Sequence, residues 1–459
     1  MKLQKTTKRL RPEKRIKIRR TGRRSVAPGR QNGFHTGYKA GYDAGYNIGF
    51  DAGLTNFHQP FSGTSIIIPT FNQVELLRDC IESIIAHTPE PHEIIVVDNA
   101  STDGTAEYLY SLRHQIRFRI NPANMGFAGG VNQGLKMARG ETLLILNNDT
   151  VVTQGWLANM LRCLNSDGRI GLVGPMTNYI SGKQLLNVSY GSIAEMHRFA
   201  EMFNRPDPAR WRRTDRITGF CVLLRRELFA RLGYFDEGFE KGNCEDDDFC
   251  LRVKLLGHDL VIAGDVFIHH VGSVSMKALG AEMNEVYGKN LEFYGQKWGN
   301  LPEITEEARL LSSEGKSMLD FYPREAIVCG NQGMRYWLDG GGRRPILEQD
   351  GQLSPAVRLS HVELRSWPLG EAVSEAAVRE RISQTAGQTG IREGALLQGE
   401  SGRIYRYEQG SLRRIVSELA LTVWGFDRSE TIAAGDAELA SLPKGLPIIA
   451  PISIMAENL

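Results

Sequence analysis

From Ser65 onward, short apolar runs alternate with helical patterns, and this rhythm constrains the fold more than any other feature. SIIIPT (65–70) reads as a buried strand and is followed by a helical stretch over 74–86. EIIVVDN (93–99) is a second strand, followed by a Ser-Thr-Asp-Gly-Thr turn and another helix. IRFRIN (116–121), the glycine-rich NMGFAGGVNQG (124–134), a helix to Arg139 and TLLILNND (142–149) complete the first half. Continuous apolar strands separated by helices predict an α/β fold, with a mostly parallel sheet covered by helices on both faces. In such sheets ligands sit beyond the C-terminal ends of the strands. Thr70, Asp98 and Asp149 fall at such ends, so three motifs converge on one crevice.

About a hundred residues after Asp149, NCEDDDFCLR puts Glu245, Asp246, Asp247 and Asp248 at the start of a helical pattern, and HHVGS follows with His269 and His270. A carboxylate at a strand end can hold a divalent metal. A second at a helix start can take a proton. Four consecutive acids also suit a helix N-terminus through the dipole. Crowded acids raise one another's pKa, so the sequence leaves open which of them works. Asp98 can accept from a pyrimidine ring N–H; as a turn or cap residue it would be served better by Ser101 or Asp103.

The 459 residues allow two or three domains, and the hydrophobic fraction of 41% is that of a globular protein. No apolar run approaches the roughly 18–20 residues that span a bilayer, and no secretory signal is visible, so cytoplasmic residence is expected, with a peripheral place at a membrane or spore surface as a variant. The six Cys are scattered without a C-x-x-C pair and read as reduced thiols. Residues 1–31 hold 13 Lys or Arg and one acid, a local +12 in a chain of net +2, which leaves −10 on the rest. A tail of this kind (1–32) is expected to be disordered, either solubilising or binding an anionic partner. Over 33–55 a Gly recurs every four residues with an aromatic in step, at Phe34, Tyr38, Tyr42, Tyr46 and Phe50. As a helix it would show one Gly stripe, open to self-association; as a linker it would only be sticky.

An amphipathic helix is expected over 278–300, then a linker over 301–324. Beyond it, AIVCGNQGMRYWLDGGGRRPI (326–346) aligns without gaps on ALLQGESGRIYRYEQGSLRRI (395–415). Two small β-rich units follow from this, about 325–390 and 394–450 within 325–459. Tyr336, Trp337, Tyr405 and Tyr407 form either an exposed surface for a glycan or protein, or the units' cores.

SIIIPTFN, VVDNASTDGT, NMGFAGGVNQG, ILNNDT, TGFCVLLRRELFARLGYFDEGF, EDDDFCLRVKLLGHDL and HHVGS occur in an order that resembles family 2 glycosyltransferases, within a rhamnosyltransferase-like subgroup of bacterial surface polysaccharide enzymes. The resemblance covers residues 62–300. It implies a GT-A fold, a UDP- or dTDP-sugar donor, a Mn or Mg ion, inversion at the anomeric carbon, and a hydroxyl acceptor on a bacterial surface or spore-surface glycan or glycoprotein. It assigns Asp246 as base with Glu245 beside it. It places Thr70, Asn72, Asp98, Asn99, Asp103, Asn124, Gly126, Asn132 and Asn148 at the nucleotide. Thr218, Gly219 and Phe220 fall on the acceptor side, and Asp149 and His270 at the metal, with His269 as the competing neighbour. The familiar D-x-D appears here as Asn147-Asn148-Asp149, without its first carboxylate. The contrasting expectation is a structural or coat-assembly protein, or a glycan-binding one, with a weak transferase domain.

Overall fold

The computed structural model describes residues 60–272, 282–311, 315–330, 333–347, 356–383 and 390–455. The basic tail and the Gly/aromatic repeat lie outside the described residues. The first half runs β1 (Phe61–Thr70), α1 (Val74–His87), β2 (His92–Asp98), α2 (Thr105–Ser111), β3 (Arg117–Ile120), α3 (Gly126–Met137) and β4 (Gly140–Leu146). Then come β5 (Thr150–Val151), α4 (Trp156–Ser166), β6 (Ile170–Thr177), α5 (Ile193–Phe203), β7 (Trp211–Thr214), β8 (Cys221–Arg225) and α6 (Arg226–Leu232). The domain ends with α7 (Glu245–Leu255), β9 (Asp259–His270) and α8 (Glu282–Trp298).

These strands form one nine-stranded sheet in the order β3-β2-β1-β4-β8-β6-β9-β5, with β7 on β9. β1, β2, β3 and β4 pair in parallel, as do β6 and β9, while β8 runs antiparallel between β4 and β6. The period of two explains the apolar runs. Ile66, Ile68, Ile94, Val96, Leu144 and Leu146 join one core with Leu77, Cys80, Ile81 and Ile84 of α1. Ile67, Ile95, Leu143 and Ile145 join the other, with Val131 and Leu135 of α3. Gly134 lets α3 lie flat on β1: a Cβ there would sit 2.3 Å from Ile67 Cγ2.

The expected linker is instead folded. Residues Leu301–Leu310 form α9, opened by Pro302 in its first turn, and bury Ile304 and Ala308 four residues apart. A capped 3₁₀ turn at Met318–Phe321 buries Met318, Phe321 and Tyr322. All five side chains belong to the same core as Val131 and Leu135.

The 69-residue sequence repeat corresponds to a repeated three-stranded meander, Glu325–Cys329, Arg335–Asp339 and Arg343–Leu347, then Leu396–Gln398, Ile404–Glu408 and Ser411–Arg414. Both first turns use the same backbone bonds. Gly330 N–H donates to Met334 O and Gly333 N–H to Gly330 O; Gly399 N–H donates to Arg403 O and Gly402 N–H to Gly399 O. Gly333 and Gly402 hold φ of 75° and 80°. Asp339–Arg344 (3.9 Å) and Glu408–Arg413 (2.7 Å) are the equivalent ion pairs. The aromatics are packed rather than offered to a partner. Trp337 and Tyr407 are buried, and Tyr336 and Tyr405 are half-buried against core residues. The four do not form an exposed docking surface, because both faces of these strands are covered: Trp337 packs in one cluster while the adjacent Leu338 packs in another, and Tyr407 lies in a third.

Residues Pro60–Leu459 cluster as one compact unit, and a single core runs from Ile67 to Ala450. No described helix is long and apolar enough to cross a membrane. All six cysteines are free thiols.

Because that core is shared, Ile304→Ala is expected to lower the whole unit's stability by about 2–4 kcal/mol in one calorimetric transition. A separate, unshifted transition for the C-terminal part would contradict a common core.

Candidate active site

β1 and β2 end in register, Thr70 opposite Asp98. Asp98 is fully buried. Its Oδ1 accepts the backbone N–H (3.0 Å) and hydroxyl (2.5 Å) of Ser101. Its Oδ2 has no hydrogen-bond partner among the described residues. Asn72, in the left-handed region at φ 57°, donates its N–H to Ser101 Oγ (2.6 Å) and accepts at Oδ1 from Thr102 N–H (2.9 Å). Asn148 Nδ2 donates to Thr70 Oγ1 (2.8 Å), tying the end of β4 to the end of β1.

Several expected nucleotide contacts have other duties. Asp103 caps two helices: Oδ2 accepts Val74 N–H (2.9 Å), and Oδ1 accepts the N–H (3.2 Å) and hydroxyl (2.6 Å) of Thr105. Burial opposes its charge, but these hydrogen bonds hold its pKa below the usual carboxylate range. Asn132 is fully buried inside α3, with Nδ2 on Phe235 O (2.9 Å) and Glu237 Oε1 (2.8 Å) and Oδ1 on Phe235 N–H (2.8 Å). It fixes the loop after α6. Asn99 spans Gly126 O (2.9 Å) and Asn121 Nδ2 (2.9 Å), and Asn124 Oδ1 accepts Gly126 N–H (2.9 Å). Asn99 and Asn124 therefore shape the turn at Gly126, whose φ of 71° favours glycine.

Asp149 follows β4, and His270 ends β9. Asp149 Oδ1 lies 3.1 Å from His270 Nε2. His270 Nδ1 is 2.7 Å from Tyr179 O, a group that can only accept, so Nδ1 carries a proton. Asn178 closes both backbone groups of His270, and Phe220 stacks on its ring at 5.3 Å and 11°. The neighbouring His269 points to the opposite face, where Nδ1 meets Tyr190 OH at 2.7 Å. Burial, then the adjacent His270, lower its pKa. His270 is therefore the histidine beside Asp149. Phe220, expected to face an acceptor, is buried as the floor of that imidazole.

An oxygen and a nitrogen about 3 Å apart suit adjacent positions on an octahedral ion with ligands at about 2.1 Å. Among the described residues no group of three His, Cys, Asp or Glu could hold a metal. Asp149 and His270 could supply two ligand atoms, with phosphate oxygens needed for the rest.

The acidic run starts α7 after a left-handed stretch, with φ of 53° at Lys241, 80° at Asn243 and 71° at Cys244. Asn290 of α8 holds this loop by reaching the carbonyls of Glu240 (2.9 Å), Gly242 (2.9 Å) and Asn243 (3.1 Å). Asp246 Oδ2 accepts Gly219 N–H (3.0 Å) and lies 3.5 Å from Arg216 Nη2; Oδ1 accepts Asp247 N–H (2.9 Å). Arg216 Nε reaches Asp247 Oδ1 at 2.5 Å. Thr218 N–H is held by Gln184 Oε1 (2.8 Å). Glu245 is buried, with Oε2 lacking a partner among the described residues. Burial, then the charge of Asp246, push its pKa well up, which favours the neutral acid. Asp247 is raised by the same two causes in the same order. Asp248 is the exception. Burial opposes its charge, but Lys297 and Arg252 hold its pKa below normal. It accepts from Lys297 Nζ (2.6 Å), Trp298 Nε1 (2.9 Å) and Arg252 Nε (2.8 Å).

One chain of contacts crosses the strand ends. Asp98 pairs with Thr70, Thr70 with Asn148, and Asp149 with His270. His270 stacks on Phe220, whose carbonyl accepts Asn147 N–H (2.8 Å), and Gly219 meets Asp246. Arg216, Asn178, Gln184 and Asn290 support this chain, and no motif in the sequence signals them, since each acts on a residue far away along it.

Residues 65–233 match the family profile described as Glycosyl transferase family 2; the match ends before α7 and His270. O-antigen biosynthesis protein RfbC of Myxococcus xanthus is 31% identical over 248 residues, covering 48% of this chain and 18% of that protein. A poly-beta-1,6-N-acetyl-D-glucosamine synthase of Staphylococcus epidermidis is 29% identical over 185 residues, covering 39% and 43%. The mannosyltransferase PcManGT from Pyrobaculum calidifontis, solved with GDP-Man and Mn2+, has a TM-score of 0.40 and 20% identity, covering 54% and 69%. The chain spans less than half the length of the curated relatives it matches.

Asp103→Ala is expected to cost about 1–2 kcal/mol through lost caps, seen as a lower chemical-denaturation midpoint. Unchanged stability would refute the capping role.

Proposed function

We propose that this chain, whose residues 65–233 match glycosyl transferase family 2 and whose larger α/β domain has the GT-A fold, transfers a hexose or deoxyhexose with inversion from a UDP- or dTDP-sugar to a hydroxyl acceptor. The observation that supports this reading is the contact chain that brings the Asp98 carboxylate, the Asp149–His270 pair and the Asp246 carboxylate together at the strand ends. The buried, unpartnered Oδ2 of Asp98 suits the ring N–H of uracil or thymine, because a buried acceptor without a donor is costly. Asp149 and His270 would hold Mn or Mg, whose chemistry when bound is to offset charge on the departing diphosphate.

In the reaction, the acceptor oxygen bonds to the anomeric carbon as the bond from that carbon to the diphosphate oxygen breaks. Asp246 takes the acceptor proton. Its carboxylate is aimed by Gly219 N–H and Asp247 N–H. Keeping Glu245 protonated spares the site a second negative charge beside that base. The relatives' named roles, in O-antigen and poly-N-acetylglucosamine synthesis, favour a bacterial surface glycan as acceptor.

Asp246→Asn should lower turnover by about 10²–10⁴-fold while donor affinity stays within about threefold. Near-native release of nucleoside diphosphate by this variant would remove Asp246 from the base role. Asp149→Ala should abolish the manganese dependence of UDP binding in calorimetric titration. The same binding with and without manganese in the native chain would contradict the assignment.

A further inference from the structure

The end of the chain returns to the transferase domain. Ile448 and Ile449 are tied to Arg414, Val416, Phe321 and Trp424. Three backbone groups beyond them then reach the loop between α6 and α7. Ser453 N–H donates to Asp236 Oδ1 (3.0 Å), Ser453 O accepts Glu237 N–H (2.7 Å), and Met455 N–H donates to Glu237 Oε2 (2.7 Å). Ile452 and Ile454 pack with Met125, the residue before α3.

Both Asp236 and Glu237 have a second partner, on other elements. Glu237 Oε1 accepts Asn132 Nδ2 (2.8 Å) from α3. Asp236 Oδ2 accepts Lys297 Nζ (2.6 Å), and the same ammonium donates to Asp248 Oδ1 (2.6 Å) in the first turn of α7. Lys297, Asp236 and Asp248 are all about 1% exposed or less. Buried ion pairs tolerate little misplacement, since each charge relies on the others for solvation. Residues 452–455 thus form a strap that touches α3 through Glu237 and Met125, and α7 through Asp236 and Lys297.

We propose that residues 452–455 are a positioning element of the transferase site, setting the distance between α3 and α7, and that Lys297 is the positioning residue that passes this register to Asp246. The proposal rests on Asp246 being the base. Ser453 N–H and Gly238 N–H (2.8 Å) both donate to Asp236 Oδ1. Without the Ser453 donor that carboxylate is less firmly held, and the ammonium loses a fixed counter-charge. α7 then loosens at its first turn, where Asp247 and Asp248 follow Asp246. A shift of about 1 Å in such a group can cost up to about a hundredfold in rate.

The test uses the full chain, a truncation lacking 451–459, and Ser453→Pro, which removes one backbone donor. Nucleoside diphosphate release to water is followed with UDP-glucose, UDP-GlcNAc and dTDP-glucose as probes, with amide hydrogen exchange over 244–250. The expected result for the truncation is a kcat about tenfold or more lower, donor KM within about threefold, and faster exchange over 244–250. Ser453→Pro is expected to move both in the same direction by less. A synthetic peptide of residues 451–459, added to the truncated chain, should restore kcat and protection. Native kcat and native exchange in both variants would overturn the proposal, as would exchange alone staying native where no probe is turned over. Asp246→Asn in parallel separates the two readings: if it turns over normally the base assignment fails, whereas native behaviour of the strap variants beside an inactive Asp246→Asn fails the strap alone.

Discussion

Parallel pairing has a geometric consequence that organises this molecule: strands joined by crossovers all end on the same side, and their final residues face one another. β1 and β2 pair residue for residue up to Thr70 and Asp98, and β4 stops beside them. β8 enters antiparallel from that edge, and β6 and β9 leave towards it. Polar residues at these ends have no further ladder partners, so they bond to one another or to a ligand. Thr70 with Asn148, and Asp149 with His270, are the bonds that result. Shifting the register of β4 by one residue would turn its apolar set to the wrong core and take Asn148 and Asp149 out of reach.

The four consecutive acids show how environment divides identical chemistry. Asp248 is fully buried among Lys297, Arg252 and Trp298 and stays charged for structural reasons. Asp247 leans on Arg216. Glu245 is buried with an unpartnered oxygen and favours its proton. Asp246 has each oxygen oriented by a backbone N–H. Three of the four thereby prepare the place of the fourth.

Much of this is legible in residue order. Apolar runs at period two, with helical spacing between them, give the sheet; Asp98 and Asp149 stand where strands stop, and Asp246 where a helix starts. What a polar side chain spends its atoms on is not legible there. Asp103, Asn132 and Phe220 sit within recognisable motifs yet serve as a double cap, an internal brace and an imidazole floor. The choice between His269 and His270 needs the strand's two faces. The stretch 301–324 reads as a linker because charged and small polar residues interrupt its apolar ones, but Ile304 and Ala308 fall on one helical face and close the core. The Lys297–Asp248 and Ser453–Asp236 contacts join residues far apart in the chain, and no local pattern announces them.

If the proposed function is right, Asp98, the Asp149–His270 pair and Asp246 form one donor-and-acceptor site. A crystal of the full chain grown with UDP and manganese, measured at the manganese absorption edge, tests this most directly. One anomalous peak is expected within coordination distance of Asp149 Oδ1 and His270 Nε2, with the uracil ring N–H on Asp98. A peak elsewhere, or a nucleotide bound away from Asp98, would contradict it.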